Sequence, residues 1–280
     1  MPGPKDLDPS VSPRALLGAE LRHAREKAGL SQDALGQALF VSGSFIGQME
    51  SGTRRIQPDM ARKLDEILDT KGFFERNCKA ANKSKHPDHF ADAAEAERIA
   101  TAIRQYASQL IPGLLQTKAY AEAVFRAYHP TAPDEVIEDL VAARLERAHI
   151  LDDPTTPLLW AILDEAVLRR EVGGNAVMAE ALRRVTHLAR KHRIIVQVLP
   201  FGAGAHASME GPLKLMEFDD APPLSFIEGP SMGMLLDDPA TVTRHTLMFN
   251  LLQAAALSPT ESLALIESVA QDYEHGEQHP

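Results

Sequence analysis

The amino-acid sequence predicts a mainly α N-terminal domain followed by an α+β C-terminal domain. Two observations carry this. Residues 14–70 hold short stretches with apolar residues at helical spacing, each closed by a start or stop signal. Beyond residue 157, short apolar runs at 158–164, 194–200, 212–218 and 224–228 are punctuated by Gly and Pro and alternate with helical patterns. The chain has 280 residues, 44% hydrophobic and 24% charged, which suits one small and one medium folded domain. The expected organisation is a flexible N-terminus over 1–13, a first domain over 14–70, a linker over 71–90, a second domain over 91–274 and a tail over 275–280.

In the first domain, a helix is expected from Ser12/Pro13 through Leu16, Leu17, Leu21 and Ala24 to a stop at Gly29. The stretch LSQDALGQALFVSGSFIGQMESGTRR, Leu30 to Arg55, then fits two short helices and a tight turn. Ser31 caps the first, whose inward face is Ala34, Leu35, Ala38 and Leu39; Ser42 caps the second, which buries Ile46 and Met49. Gly36 falls where the two helices cross, a place with no room for a larger side chain. A further helix follows Pro58 through Leu64 and Leu68. The pattern is a helix-turn-helix.

Such a unit lays its second helix in the major groove, where base edges present distinguishable donors and acceptors. With Ile46 and Met49 turned inward, the groove-facing set is Ser42, Gly43, Ser44, Gly47 and Gln48. Gln48 is the expected base reader, since its amide can pair with adenine through two hydrogen bonds. Ser44 donates or accepts and discriminates less, while Gly43 and Gly47 allow close backbone approach. Arg54 and Arg55, after the Ser51/Gly52 turn, are placed to neutralise phosphates and so to position the protein without specifying sequence; an arginine pair of this kind can equally be a solvated surface pair. Glu50 would be repelled by phosphate and is expected to cap or to pair near Arg54 or Arg55.

The order of these residues resembles the lambda-repressor-like DNA-binding domains, the xenobiotic-response-element (XRE) family, from about Arg14 to Thr70. The resemblance implies four or five short helices and a phosphate or base contact from Gln32. One departure is the turn, where the family often has glycine and this chain reads Phe40, Val41, Ser42.

Charge is divided unevenly. The whole chain carries 29 basic and 39 acidic residues, a net charge of −10, which opposes binding to a polyanion. Residues 1–85 hold 14 Lys and Arg against 11 Asp and Glu, a net +3, leaving 15 against 28, or −13, for the remainder. Only the front of the chain is basic, so double-stranded DNA is expected to meet that part and to bind less tightly as salt rises. A homodimer would join two such faces about 34 Å apart on an approximate inverted repeat. The opening residues lack an apolar signal core and no membrane span is visible; a cytoplasmic location, nucleoid-associated when bound to DNA, is expected. The one cysteine, Cys78, excludes an internal disulfide framework and reads as a bystander thiol in a polar stretch. Between the domains, KGFFERNCKAANKSKHPDHF (71–90) reads as a linker whose aromatic pair, Phe73 and Phe74, docks onto one domain.

From Phe90, ADAAEAERIATAIRQY is helical in composition, and LIPGLLQT (110–117) is an apolar hook that packs at home or crosses to a neighbouring subunit. Helices are expected near 116–128, 133–152 and 175–192, then a helix opened by Asp238/Pro239 and a last one with the capped start Ser258, Pro259, Glu261. The segments QLIPGLLQT, LWAILDEAVLRREVGG and IIVQVLPFGAGAH resemble the uncharacterised C-terminal domain of a large group of actinobacterial regulators. The second domain is expected to dimerise and to sense a ligand or small partner protein; the resemblance also implies the alternative of an antitoxin-like protein that sequesters a small acidic BldB-like partner encoded nearby and autoregulates its operon. Enzymatic chemistry is not expected. Asp164 and Glu165 are adjacent and point in different directions, so they do not by themselves make an acid/base pair. The loop 201–206 lacks the GxGxxG spacing of a dinucleotide site, and no cofactor or metal is implied. A loop histidine is ordinarily solvated and a tryptophan on an apolar strand ordinarily belongs to a core. Trp160, Phe201 and His206 stand as the candidate residues toward ligand or partner.

Overall fold

The computed structural model describes residues 13–81, 91–219, 221–229 and 232–276, together with position 9. The expected N-terminal flexible segment, the Ser12 start, most of the expected tail and residues 82–90 of the expected linker lie outside these. By internal contacts the chain divides into two units, 1–99 with 217–223, and 100–216 with 224–280.

The first unit begins with α1 (Pro13–Lys27), α2 (Gln32–Leu39), α3 (Gly43–Glu50), α4 (Pro58–Leu68) and α5 (Phe73–Ala81). The expected caps form: Ser31 Oγ accepts from the Ala34 N–H and Ser42 Oγ from the Phe45 N–H, both at 3.0 Å. Leu17, Leu21, Leu35, Leu39, Ile46, Met49, Leu64, Phe74 and Cys78 form one buried cluster. Full burial of a side chain such as Ile46 or Met49 contributes about 1.5–3 kcal/mol. Two glycines let the helices meet. A Cβ on Gly36 would sit 2.7 Å from the Val41 carbonyl oxygen, and one on Gly18 would sit 2.3 Å from that of Glu50. Gly18 therefore seats α1 directly on the backbone of α3, a contact that the heptad-like apolar pattern of α1 does not reveal.

The aromatic pair docks onto the first domain as expected, but the expected linker is corrected in its first half. Residues 73–81 form a helix whose apolar side, Phe74 and Cys78, closes the first core, and Asp65 accepts from the Phe74 and Glu75 N–H groups at its start. Cys78 is thus a buried core thiol, its pKa raised by that burial. The expected helix through Tyr106 is corrected too. It stops as α6 (Ala91–Ile99), and β1 (Ala102–Ala107) begins at once. The run AIRQYA lacks strand-forming strength of its own, yet it holds a central place between two other strands, where ladder pairing overrides composition.

The second unit continues with α7 (Lys118–Tyr128), α8 (Asp134–Ala148), β2 (Leu158–Asp164), α9 (Glu165–Arg169), α10 (Asn175–Arg190), β3 (Ile194–Leu199), β4 (Leu213–Glu217), β5 (Leu224–Gly229), β6 (Met232–Leu236), α11 (Pro239–Ala255) and α12 (Pro259–His275). Among the described residues the strands make one sheet in the order β3-β2-β1-β4-β5-β6. β1, β2 and β3 run parallel, with Tyr106 opposite Ile162 and Ile162 opposite Gln197; β4, β5 and β6 are antiparallel neighbours. The α+β expectation holds, although β6 was not foreseen. One face of the sheet packs Tyr106, Ile162, Leu199, Leu213 and Leu215 on Val242, Phe249 and Leu252 of α11. The hook at 110–117 packs at home: Ile111, Leu114 and Leu115 are buried, and the Gln116 amide donates to the Ile111 carbonyl at 2.7 Å and accepts from Arg144 at 2.8 Å. Asp238 caps α11, and Ser258 with Glu261 forms the expected capping box on α12.

Candidate nucleic-acid interface

The α2–turn–α3 pair is held by a polar network that the sequence pattern did not reveal. Glu50, at the end of α3, is 3% exposed. Its carboxylate accepts from Arg25 of α1 at 2.5 and 3.2 Å and from the Gln32 amide nitrogen at 2.8 Å. Arg25 also donates to the Leu30 carbonyl at 2.7 Å, so one guanidinium ties α1, the α1–α2 turn and α3 together. The hydrogen bonds to Glu50 raise the pKa of Arg25 against its burial. Glu50 therefore pairs with Arg25 and not, as expected, near Arg54 or Arg55. Gln32 remains exposed at the start of α2, with its amide oriented by Glu50.

The glycines of α3 are also reassigned. A Cβ on Gly43 would lie 1.9 Å from Asp33 Oδ1, and one on Gly47 would lie 3.3 Å from Gln32 Oε1. Both positions face α2, where the absent Cβ makes room for the Asp33 and Gln32 side chains; they are packing glycines before they are places of DNA approach. Ser42 is exposed and its hydroxyl serves the cap.

Gln48 requires the largest correction. At about 3.6 residues per turn, Ser44 and Gln48 are turned away from Ile46 and Met49. Yet Gln48 is 2% exposed, and among the described residues its buried Oε1 and Nε2 have no hydrogen-bond partner, nor does the buried Ser44 hydroxyl. Outward by rotation is here not the same as exposed. An amide enclosed in this way loses about 1–3 kcal/mol relative to one that is hydrogen-bonded, so this conformation holds its two best hydrogen-bonding groups for base edges unsatisfied.

The loop after α3 is built back onto the same residue. The Gln48 carbonyl accepts from Ser51 Oγ at 3.1 Å, Thr53 Oγ1 at 3.0 Å and the Arg54 N–H at 3.1 Å. The Arg54 guanidinium lies 4.2 Å from the centre of the Phe45 ring. Arg55 Nε donates to Asp92 of α6 at 3.2 Å, and Arg14 donates to the other oxygen of that carboxylate at 3.1 Å. The turn itself is made by Phe40, a 93% exposed side chain on a left-handed backbone with φ 60° and ψ 38°.

A helix-turn-helix domain model matches residues 16–72, and a model described as a domain of unknown function, DUF5753, matches residues 90–268. The second match spans well over half the chain. The chain belongs to the DUF5753 family. No curated protein and no solved structure matches it. The helix-turn-helix match supports a DNA-binding regulator, with the DUF5753 region as its second part. Among the described residues no helix is long and apolar enough to cross a membrane.

In the DUF5753 region the structure brings together part of what the sequence left scattered. Tyr106 Oη donates to Asp164 Oδ2 at 3.0 Å and lies 3.4 Å from His206 Nε2. Because His206 Nδ1 accepts the Ser208 N–H at 3.3 Å, its proton sits on Nε2, and the row runs His206 to Tyr106 to Asp164. Burial, then the adjacent carboxylate, pushes the Tyr106 pKa far up, which keeps the phenol a donor. Asp164 also caps α9, and Glu165 points elsewhere, accepting from the Phe201 N–H and pairing with Arg169. Phe201 is exposed. Trp160, by contrast, packs on the sheet core at 6.3 Å from Phe249, and its indole donates to Gln197 at 2.9 Å. Its candidacy toward a ligand gives way to a structural role.

Proposed function

We propose that this DUF5753 protein is a sequence-specific DNA-binding transcriptional regulator. In this reading α3 enters the major groove, Gln48 and Ser44 read base edges, Gln32 is positioned by Glu50 toward the backbone, and Arg54 and Arg55 neutralise phosphates. The capped α2–turn–α3 unit, closed by Gly36 and locked through Glu50, carries the reading together with the match over residues 16–72. Because Gln48 is enclosed in the conformation described, base reading requires the outer side of α3 to be uncovered. The chain acts as a homodimer on an approximate inverted repeat, since a single short helix reads too few base pairs for selective occupancy.

The second unit acts by binding and not by catalysis. The row His206–Tyr106–Asp164 sits at the carboxyl ends of β1 and β2 and in the loop after β3, where open α/β sheets place their ligands. It is the group we assign to effector recognition. Selection of random DNA with the full chain, followed by fluorescence-anisotropy titration against bulk competitor, tests the DNA reading. Enrichment of a motif with two related half-sites is expected; equal affinity for selected and bulk DNA overturns it.

A further inference from the structure

We propose that Arg14 and Arg55 form a binding site for a DNA phosphodiester, and that Asp92 of α6 occupies this site as a built-in substitute for the phosphate. The inference rests on the DNA-binding reading above and adds to it a second anchor, Arg14, and a competitor, Asp92.

The geometry is that of an anion held between two forks. Asp92 Oδ1 accepts from Arg14 Nη1 at 3.1 Å and Asp92 Oδ2 from Arg55 Nε at 3.2 Å. The three side chains are 22%, 8% and 15% exposed for Asp92, Arg14 and Arg55, so the pairing is shielded from water and salt. Two non-bridging phosphate oxygens offer the same acceptors to the same donors with a similar bite.

The two arginines are not brought together by Asp92. Arg14 lies in the first turn of α1, and the loop bearing Arg55 is pressed onto that turn by Gly52, whose backbone, at φ +75°, leaves room for a Cβ only 3.1 Å from the Ala15 Cα. The same loop hangs on the Gln48 carbonyl through Ser51, Thr53 and the Arg54 N–H. Two like charges are thus held near each other by the helix-turn-helix core itself, in register with the residue assigned to base reading. They repel, and burial further penalises Arg14, lowering its pKa. A pair arranged in this way requires an anion. Here α6 provides one, reinforced by Glu95, which acts on Arg14 electrostatically while pairing with Arg98.

The consequence is a competition. DNA gains the Arg14–Arg55 site only when the Asp92 carboxylate leaves it. The enclosure of Gln48 and the occupation of Arg55 then describe one closed state of the reading surface.

The test uses the full chain and the DNA motif it selects. Asp92→Asn and Asp92→Ala are each expected to tighten binding about tenfold. Arg14→Gln and Arg55→Gln are each expected to weaken it and to reduce the salt slope by about one. In the Arg14→Gln/Arg55→Gln background, Asp92→Asn should change nothing. Hydrogen exchange of peptides covering 91–99 should rise on adding DNA. Unchanged or weaker binding by both Asp92 variants, with circular dichroism and thermal midpoints preserved, overturns the competition. An unchanged salt slope in Arg14→Gln overturns the phosphate site, as does an α6 exchange rate indifferent to DNA. Failure of the wild type and both Asp92 variants to prefer any sequence removes the DNA reading itself. A wild type that fails while the Asp92 variants bind supports the competition.

Discussion

Removing the Glu50 carboxylate should unfold the first unit selectively. Glu50→Ala leaves the Arg25 guanidinium, 8% exposed, without its principal acceptor and frees the Gln32 amide from its anchor. Arg25 keeps the Leu30 carbonyl and a long contact to Glu26 at 3.5 Å, so part of its hydrogen bonding survives. Breaking one partner of a buried ion pair costs about 3–5 kcal/mol, and the surviving bonds place this case near 3. For a unit of this size each kcal/mol moves the midpoint by roughly 4–8 °C, so a fall of at least about 12 °C is expected. The single tryptophan makes the assay local: Trp160 lies in the second unit, whereas helix loss in both units registers in far-ultraviolet circular dichroism. The variant should advance the dichroism transition and leave the Trp160 fluorescence transition in place. Replacing both partners with apolar residues, Arg25→Met with Glu50→Leu, should recover much of the loss, because no buried charge is then left unpaired. A Glu50→Ala shift below about 4 °C, or one no larger than that of the double variant, would refute the reasoning.

Two further outcomes follow from single positions. Phe40→Gly should stabilise the first unit by about 0.5–1 kcal/mol, since a left-handed backbone strains any residue with a Cβ and the 93% exposed ring contributes no burial; urea titration followed by dichroism measures it, and a loss of stability would show that the ring has a partner. His245 is buried on α11 with its Nδ1 2.6 Å from Ser225 Oγ, and burial, then the neighbouring Arg244, holds its pKa below the ordinary 6.5. A base depressed in the folded state binds fewer protons there than in the unfolded chain, so its contribution is complete above pH 6.5 and declines as pH falls through and below that value. The Trp160 midpoint should therefore drop between about pH 6.5 and 5, and His245→Gln should flatten that slope.

Much of the framework could be read from residues whose effect is local. Ser31, Ser42, Asp238 and Ser258 cap helices because a short side-chain oxygen reaches the N–H groups of its own first turn, and nothing distant decides the matter. The strands β2, β3, β4 and β5 announce themselves by apolar runs between turn residues. Where distant partners decide, the pattern misleads. Ala102–Ala107 is strand only because β2 and another strand flank it, and Cys78 looks like a polar-stretch linker residue until α4 and α1 supply the surface it covers. Gly18 carries no periodic signal, since its role depends on carbonyls of α3 some thirty positions later.

The same distinction separates what could and could not be foreseen in the candidate interface. Helical rotation is a local property, and it turns Ser44 and Gln48 away from Ile46 and Met49. Exposure is a property of the whole chain, and Gln48, with both amide atoms enclosed and unpartnered among the described residues, shows the two diverging. An enclosed unsatisfied amide raises the free energy of the closed state by a modest amount, whereas the Arg14–Asp92–Arg55 contact lowers it. On the proposed reading the two act in opposite senses on one equilibrium. DNA would then resolve both at once, base edges satisfying the amide and phosphate replacing the carboxylate. Since Gln48 favours opening and Asp92 opposes it, Gln48→Leu should deepen the closed state where Asp92→Asn relieves it. In the absence of DNA, exchange at 91–99 should slow in the first variant and quicken in the second. The two effects should sum if they bias a single two-state element. Changes of the same sign would show that the enclosed amide and the occupied arginines belong to separate motions.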